Sequence, residues 1–252
     1  MVMPGWLEAG WWGLVAGAAL VLGALIGWAA RVPVRVVAGV MAFGAGVLIS
    51  ALAFDLMDEA ERTGGLLATA IGFLGGAVAY VAANAALARH GARHRKRSHD
   101  RQPTEEQASG SGAAIAIGAL LDGVPESVVL GISLLGGQGV GVPVLAAVFI
   151  SNFPEGLSSA AGMKQAGRTA RYVFGVWGGI AVISGISAML GYVLLANASP
   201  ALVAVITAVA AGAILAMIAD TMVPEAFEEA HTLTGVITAI GFLTAFAIER
   251  VA

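Results

Sequence analysis

Three acidic residues stand inside long apolar runs of this 252-residue chain: Asp122 and Glu126 in LLDGVPES, and Glu155 in FISNFPEG. A carboxylate at the centre of a membrane helix costs about 2.5–3.5 kcal/mol on insertion scales, so three together cost about 7–10 kcal/mol. No Lys, Arg or His lies at comparable depth in another run, which leaves a bound cation or a proton to offset the charge. Asp122 and Glu126 are four residues apart and share a helix face, as do Ser151 and Glu155, with Asn152 three before Glu155. These five oxygen-bearing side chains are predicted to converge on one cation. Pro125 and Pro154 are expected to kink their helices and release the carbonyls of Leu121 and Ile150, as in the broken helices of transporters. Gly123, Gly131, Gly156, Ser158 and Ser159 are expected to let the two helices approach closely. Packing alone would account for Ser151 and Asn152, but packing requires no ionised groups.

Further acids flank the apolar runs. Asp55, Asp58 and Glu59 mark an expected entrance, and Asp220, Glu225 and His231, with Glu228 and Glu229, an expected exit, since acidic vestibules concentrate cations. For Glu61, Glu228 and Glu229 an ordinary solvated turn is an equal reading.

The elements that must hold these residues are legible in the composition. The chain is 58% hydrophobic and only 12% charged, about half the charge of a soluble protein, which excludes a water-soluble globular domain. Apolar runs near 10–30, 36–56, 65–88, 112–136, 140–163, 171–196, 200–221 and 232–249 predict eight transmembrane helices, continuous rather than alternating as barrel strands would be. The expected fold is all-α and polytopic, one transmembrane domain over 1–252. The first twelve residues hold Glu8 and no Lys or Arg, unlike a signal peptide, so the first run is expected to remain as a span. Trp6, Trp11, Trp12 and Trp28 stand at its two ends, where indole rings anchor at the membrane interface.

Eleven of the thirteen basic residues fall after spans one, three and five, which predicts those loops to be cytoplasmic and both termini extracytoplasmic. The loop after span seven is acidic and departs from the pattern. The stretch 89–111 is basic, then polar and Gly/Ser-rich, and is expected to be a disordered cytoplasmic loop. Its His90, His94 and His99 read first as part of a solvated loop at anionic head groups, and second as transient metal ligands. With no cysteine in the chain, disulfides and thiolate chemistry are excluded.

Setting Gly46 against Gly212 matches spans two and seven and pairs Glu59 with Glu225; IGFL recurs at Ile71 and Ile240. Because the displacement is five spans, the copies run in opposite directions, an inverted repeat with helices 1–3 and 6–8 around helices 4–5.

SNFPEGL at Ser151–Leu157, DGVPES at Asp122–Ser127 and the basic, histidine-containing loop between spans three and four resemble the ZIP (Zrt/Irt-like) metal transporters. The likeness covers essentially all eight spans. It implies movement of zinc or another divalent ion towards the cytoplasm through a site between helices four and five with the signature His-Asn-x-Pro-Glu-Gly. Asn152, Pro154, Glu155 and Gly156 match that signature, as do Pro125 and Glu126. Asp122 and Ser151 stand where the family usually has His, and Gly123 replaces its Asn. Span six also lacks the acid that some relatives use for a second metal.

An all-oxygen set is less selective for zinc and suits harder ions such as manganese, with iron(II) or magnesium as further candidates. The expected function is therefore divalent metal transport by alternating access, with Asp122, Glu126, Asn152, Glu155 and Ser151 as ligands and the metal (Zn, Mn or Fe) as substrate rather than prosthetic group. No enzymatic activity and no nucleic-acid partner is expected. The lipid bilayer, here the inner membrane of a bacterial cell, and a homodimer are the expected surroundings. A non-transporting sensor or scaffold that kept the fold, and a proton-linked carrier of another cation, are the alternatives.

Overall fold

The computed structural model describes residues 3–89, 111–137 and 139–251. The histidine-containing stretch predicted to be a cytoplasmic loop lies outside the described residues, apart from its two ends, Arg89 and Ser111. Among the described residues all regular structure is helical, and eight helices are long and apolar enough to cross a membrane. The molecule is thus a polytopic all-α membrane protein.

Helix α1 spans Gly5–Ala29. α2 is α-helical over Val34–Ala51, passes through a π-helical turn at Leu52–Leu56 and resumes over Met57–Gly64. α3 spans Leu66–Ala88, α4 Ser111–Ile132, α5 Val142–Gln165 and α6 Ala170–Leu195. α7 repeats the form of α2, with Pro200–Met217, a π-helical turn at Ile218–Met222 and Val223–Ala230. A 3-10 turn at His231–Leu233 leads into α8, Thr234–Val251. Two starts are capped by hydroxyls, Thr169 accepting from the Tyr172 N–H and Ser199 from the Leu202 N–H.

α2 and α7 are longer than their apolar runs. Each continues about two polar turns beyond the point where hydropathy ends, so Asp58, Glu59 and Glu225 ride on helix rather than loop. Both prolines of the predicted site sit inside helices that run through them without interruption, so α4 and α5 are not broken at mid-span.

Packing divides the bundle into two groups. α1 packs on α5 and α6, and α4 on α6, while α2 packs on α8 and α3 on α7. Between the groups the principal contacts are α2 with α5 and α7 with α4. Exchanging α1 with α6, α2 with α7, α3 with α8 and α4 with α5 maps this pattern onto itself, as an inverted repeat requires. Two-thirds of the α2 and α5 windows are buried (67% each), against 22% for α3 and 17% for α8, so the former are central and the latter face lipid.

Two local features sharpen the repeat. With Gly46 set on Gly212, the two π-helical turns coincide, as do the positive-φ residues that end the two long helices, Gly65 (φ 78°) and His231 (φ 46°). Pro224 withholds an N–H from the turn before it, a local cause for the π-helical turn in α7. α2 forms the same turn without a proline, and the structure offers no local cause for it.

The second feature corrects the register of the outer helices. A Cβ on Gly46 would meet the Thr238 carbonyl, and one on Gly212 the Phe73 carbonyl; Gly241 faces the Phe43 carbonyl and Gly76 that of Val209. These reciprocal contacts pair Phe73 with Thr238 and Gly76 with Gly241, one helical turn away from the IGFL match. The identical tetrapeptides are coincident letters; the backbone contacts set the register.

The small residues of α4 and α5 also work differently from expectation. Gly131 receives the Ala188 carbonyl of α6 and Gly156 the Leu20 carbonyl of α1, and Gly123 lies beside Ser184 of α6. They seat α4 on α6 and α5 on α1. α4 and α5 touch each other sparingly.

Gly46→Val, whose side chain has no room against the Thr238 carbonyl, is expected to cost about 1–3 kcal/mol or more by overpacking. Gly75→Ala, which meets nothing within 4 Å, is expected to be neutral or slightly stabilising, and His231→Gly stabilising by relief of its backbone. Thermal unfolding in detergent checks all three; an unchanged Tm for Gly46→Val contradicts the close approach.

Candidate functional site

The acidic residues of the predicted site are among the most enclosed polar groups in the protein. Asp122 and Glu126 on α4 are each 2% exposed and Glu155 on α5 is 6% exposed, with Ser127, Ser151, Asn152, Ser158 and Ser159 buried beside them. No Lys, Arg or His among the described residues is buried.

The directions of the side chains are another matter. Tyr80, buried on α3, donates its phenolic O–H to Asp122 Oδ1 at 2.5 Å. Asn152 Nδ2 donates to the Ala16 carbonyl of α1 at 3.1 Å. Ser151 Oγ turns back to the Val148 carbonyl of its own helix, and Ser127 Oγ to that of Gly123. Glu126 lines a small, mostly apolar cavity with Leu48, Ala51 and Leu52 of α2, Val144 and Val148 of α5 and Ile214 of α7. That cavity lies where the two helix groups meet.

Among the described residues no three His, Asp or Glu side chains gather closely enough to hold a metal ion. The predicted convergence of Asp122, Glu126 and Glu155, with Ser151 and Asn152, on a single ion is not formed in this conformation. The reason is the packing just described. With α4 seated on α6 and α5 on α1, shared helical faces do not become a shared centre, and three of the five groups, Asp122, Asn152 and Ser151, bond to other helices or to their own. Of the two carbonyls expected to be released by proline, that of Ile150 faces Gly44 of α2 across a tight contact, 3.6 Å from where a Cβ would stand.

At the predicted entrance Asp58 is ion-paired with Arg62 at 2.9 Å on the surface, and Glu59 accepts from Thr63 Oγ1 at 3.1 Å. Surface pairs of this kind contribute little stability, but Arg62 offsets part of the acidity expected there. Asp55 is half-buried within the π-helical turn of α2. Its Oδ2 and Glu249 Oε2 are enclosed with no hydrogen-bond partner, and the two carboxylates are near enough to act on each other. At the predicted exit Asp220 and His231 are exposed and Glu225 half-buried.

Two residues that matter to the site did not stand out in the sequence. Tyr80 sits in an apolar run, and its signal is the phenol itself, a polar tip that seeks a partner when buried. Glu249 lies in the last turn of α8, and only the packing of α8 on α2 brings it to Asp55.

Fold and site together define an integral membrane protein with carboxylates buried in a bundle of two inverted helix groups. Neither protein-family profiles nor characterised proteins yield a match to the chain.

Replacing Asn152 by Asp sets a carboxylate oxygen against the Ala16 carbonyl in place of an N–H donor. The expected loss is about 1–3 kcal/mol, read as a lowered Tm in detergent. Wild-type stability in Asn152→Asp would place that side chain elsewhere.

Proposed function

We propose that this protein is a divalent metal cation transporter of the ZIP kind, working by alternating access, with zinc, manganese or iron(II) as its cargo. One observation carries the reading: Asp122, Glu126 and Glu155 are buried at the meeting of two inverted helix groups, with no buried basic residue among the described residues. Carboxylates buried inside a membrane bundle mark ion and proton pathways. A two-fold inverted architecture supports a movement of one group against the other, with the groups joined by α2–α5 and α4–α7 contacts.

In this proposal the described conformation is one in which the ligands are held apart. Loading a cation between α4 and α5 then requires Asp122 to leave Tyr80 and Asn152 to leave the Ala16 carbonyl, or requires the ion to be held by the carboxylates alone. Metal moves towards the cytoplasm, with both termini on the extracytoplasmic side of a bacterial inner membrane. A homodimer, joined through lipid-facing glycine-bearing helices, belongs to the same proposal.

The cavity beside Glu126 favours one second reading. A carboxyl lining an apolar cavity between moving parts is a place to carry a proton, which fits a proton-linked carrier of another cation. In that case Glu126 serves the proton and divalent ions are bystanders.

Uptake of a metal panel into vesicles of defined pH and potential separates the readings. Wild-type protein is expected to take up at least one of zinc, manganese and iron(II), with Glu155→Ala and Asp122→Ala reduced at least tenfold. Equal uptake by all three proteins ends the metal proposal. Proton movement without divalent competition supports the second reading.

A further inference from the structure

The Tyr80–Asp122 hydrogen bond joins the two helix groups at a place where little else does. Tyr80 belongs to α3, which packs on α7, and Asp122 to α4, which packs on α6. Direct packing between α3 and α4 is slight. Both side chains are only 2% exposed, so the bond is made out of water. At 2.5 Å it is at the short end of the range for O–H···O hydrogen bonds. A short, dry bond across a sparse interface between two bodies has a consequence that a bond within one body lacks: it favours one relative placement of the bodies over another.

We propose that Tyr80 is a positioning residue, a latch whose phenol holds α4 against α3 through Asp122 and so stabilises the described arrangement of the two groups. The latch itself is a statement about conformation. Its link to cargo rests on the carrier reading: a cation that binds Asp122 competes with the phenol, so loading opens the latch and an empty site closes it. Tyr80 then tunes affinity and the rate of the conformational step without touching the substrate.

The absence of cysteine from the chain makes the test clean. Cysteines placed at Val78 on α3 and Ile117 on α4, which are 68% and 53% exposed, take spin labels on the lipid-facing side without entering the interface. Distances between the labels are measured in nanodiscs for the full chain as wild type, Tyr80→Phe, Asp122→Asn and the double variant. Tyr80→Phe keeps the ring and loses the donor; Asp122→Asn keeps the volume and weakens the acceptor. The expected result is a shifted or broadened distance distribution in Tyr80→Phe, a smaller change of the same kind in Asp122→Asn, and no further change in the double variant. Wild-type distributions in both single variants overturn the latch. Should Tyr80→Phe fail to fold, Asp122→Asn alone decides, and a wild-type distribution there overturns it.

Zinc chloride supplies the second arm. Zinc is expected to move the wild-type distribution towards that of Tyr80→Phe, and its apparent Kd is expected to be about tenfold lower in Tyr80→Phe, the scale of one hydrogen bond to a charged group. If zinc changes nothing in either protein while Tyr80→Phe still shifts the labels, the latch stands and zinc as cargo at Asp122 fails.

Discussion

Carboxylates withdrawn from water, with no buried basic residue among the described residues, are the constraint on which the rest of this structure turns. Lipid offers no hydrogen bonds, so every polar group inside the bundle must find its partner in protein, cargo or a proton. The phenol of Tyr80 on Asp122 is one such partner, and the carbonyl of Ala16 meets the amide of Asn152 in the same way. The serines beside them turn to backbone carbonyls. In this conformation the interior is organised around satisfying groups one at a time, from several helices, instead of gathering them around a single centre.

That dispersal follows from where the helices are allowed to approach. Close contact requires a residue without a side chain opposite a backbone carbonyl, and Gly131, Gly156, Gly46 and Gly212 supply it at α4–α6, α5–α1, α2–α8 and α7–α3. Every one of these contacts lies within a helix group. The seam between groups holds one glycine approach, Gly44 of α2 against Ser151 of α5, a small cavity beside Glu126 and the Tyr80–Asp122 bond. Tight packing inside each group and looser packing between them is the distribution of rigidity that a two-body movement requires, and it places the acids at the seam.

The π-helical turns belong to the same scheme. They occupy matching places in α2 and α7, the two long helices that bring the second group to the seam, and each adds a residue that re-aims the polar end of its helix. Asp55 lies in the first of these turns and Asp220 in the second. Through that geometry Asp55 comes to face Glu249 at the far end of α8, a proximity with no trace in local sequence.

Eight spans, the all-helical class, the inverted order and the burial of Asp122, Glu126 and Glu155 were legible in the chain alone. Hydropathy over about twenty residues and the cost of charge in lipid are local quantities, summed along a helix with little regard to its neighbours. The extent of α2 and α7 was not legible, because polar turns that leave the apolar layer as helix have the composition of a loop. Nor was the register of α3 against α8, where shared letters misled by a turn and only reciprocal glycine–carbonyl contacts decide. Above all, spacing placed Asp122 with Glu126, and Ser151 with Glu155, on common faces, but a face acquires a partner only when helices pack. Tertiary structure turned Asp122 to Tyr80 and Asn152 to Ala16, since the choice of neighbour depends on backbone approach between helices distant in the chain.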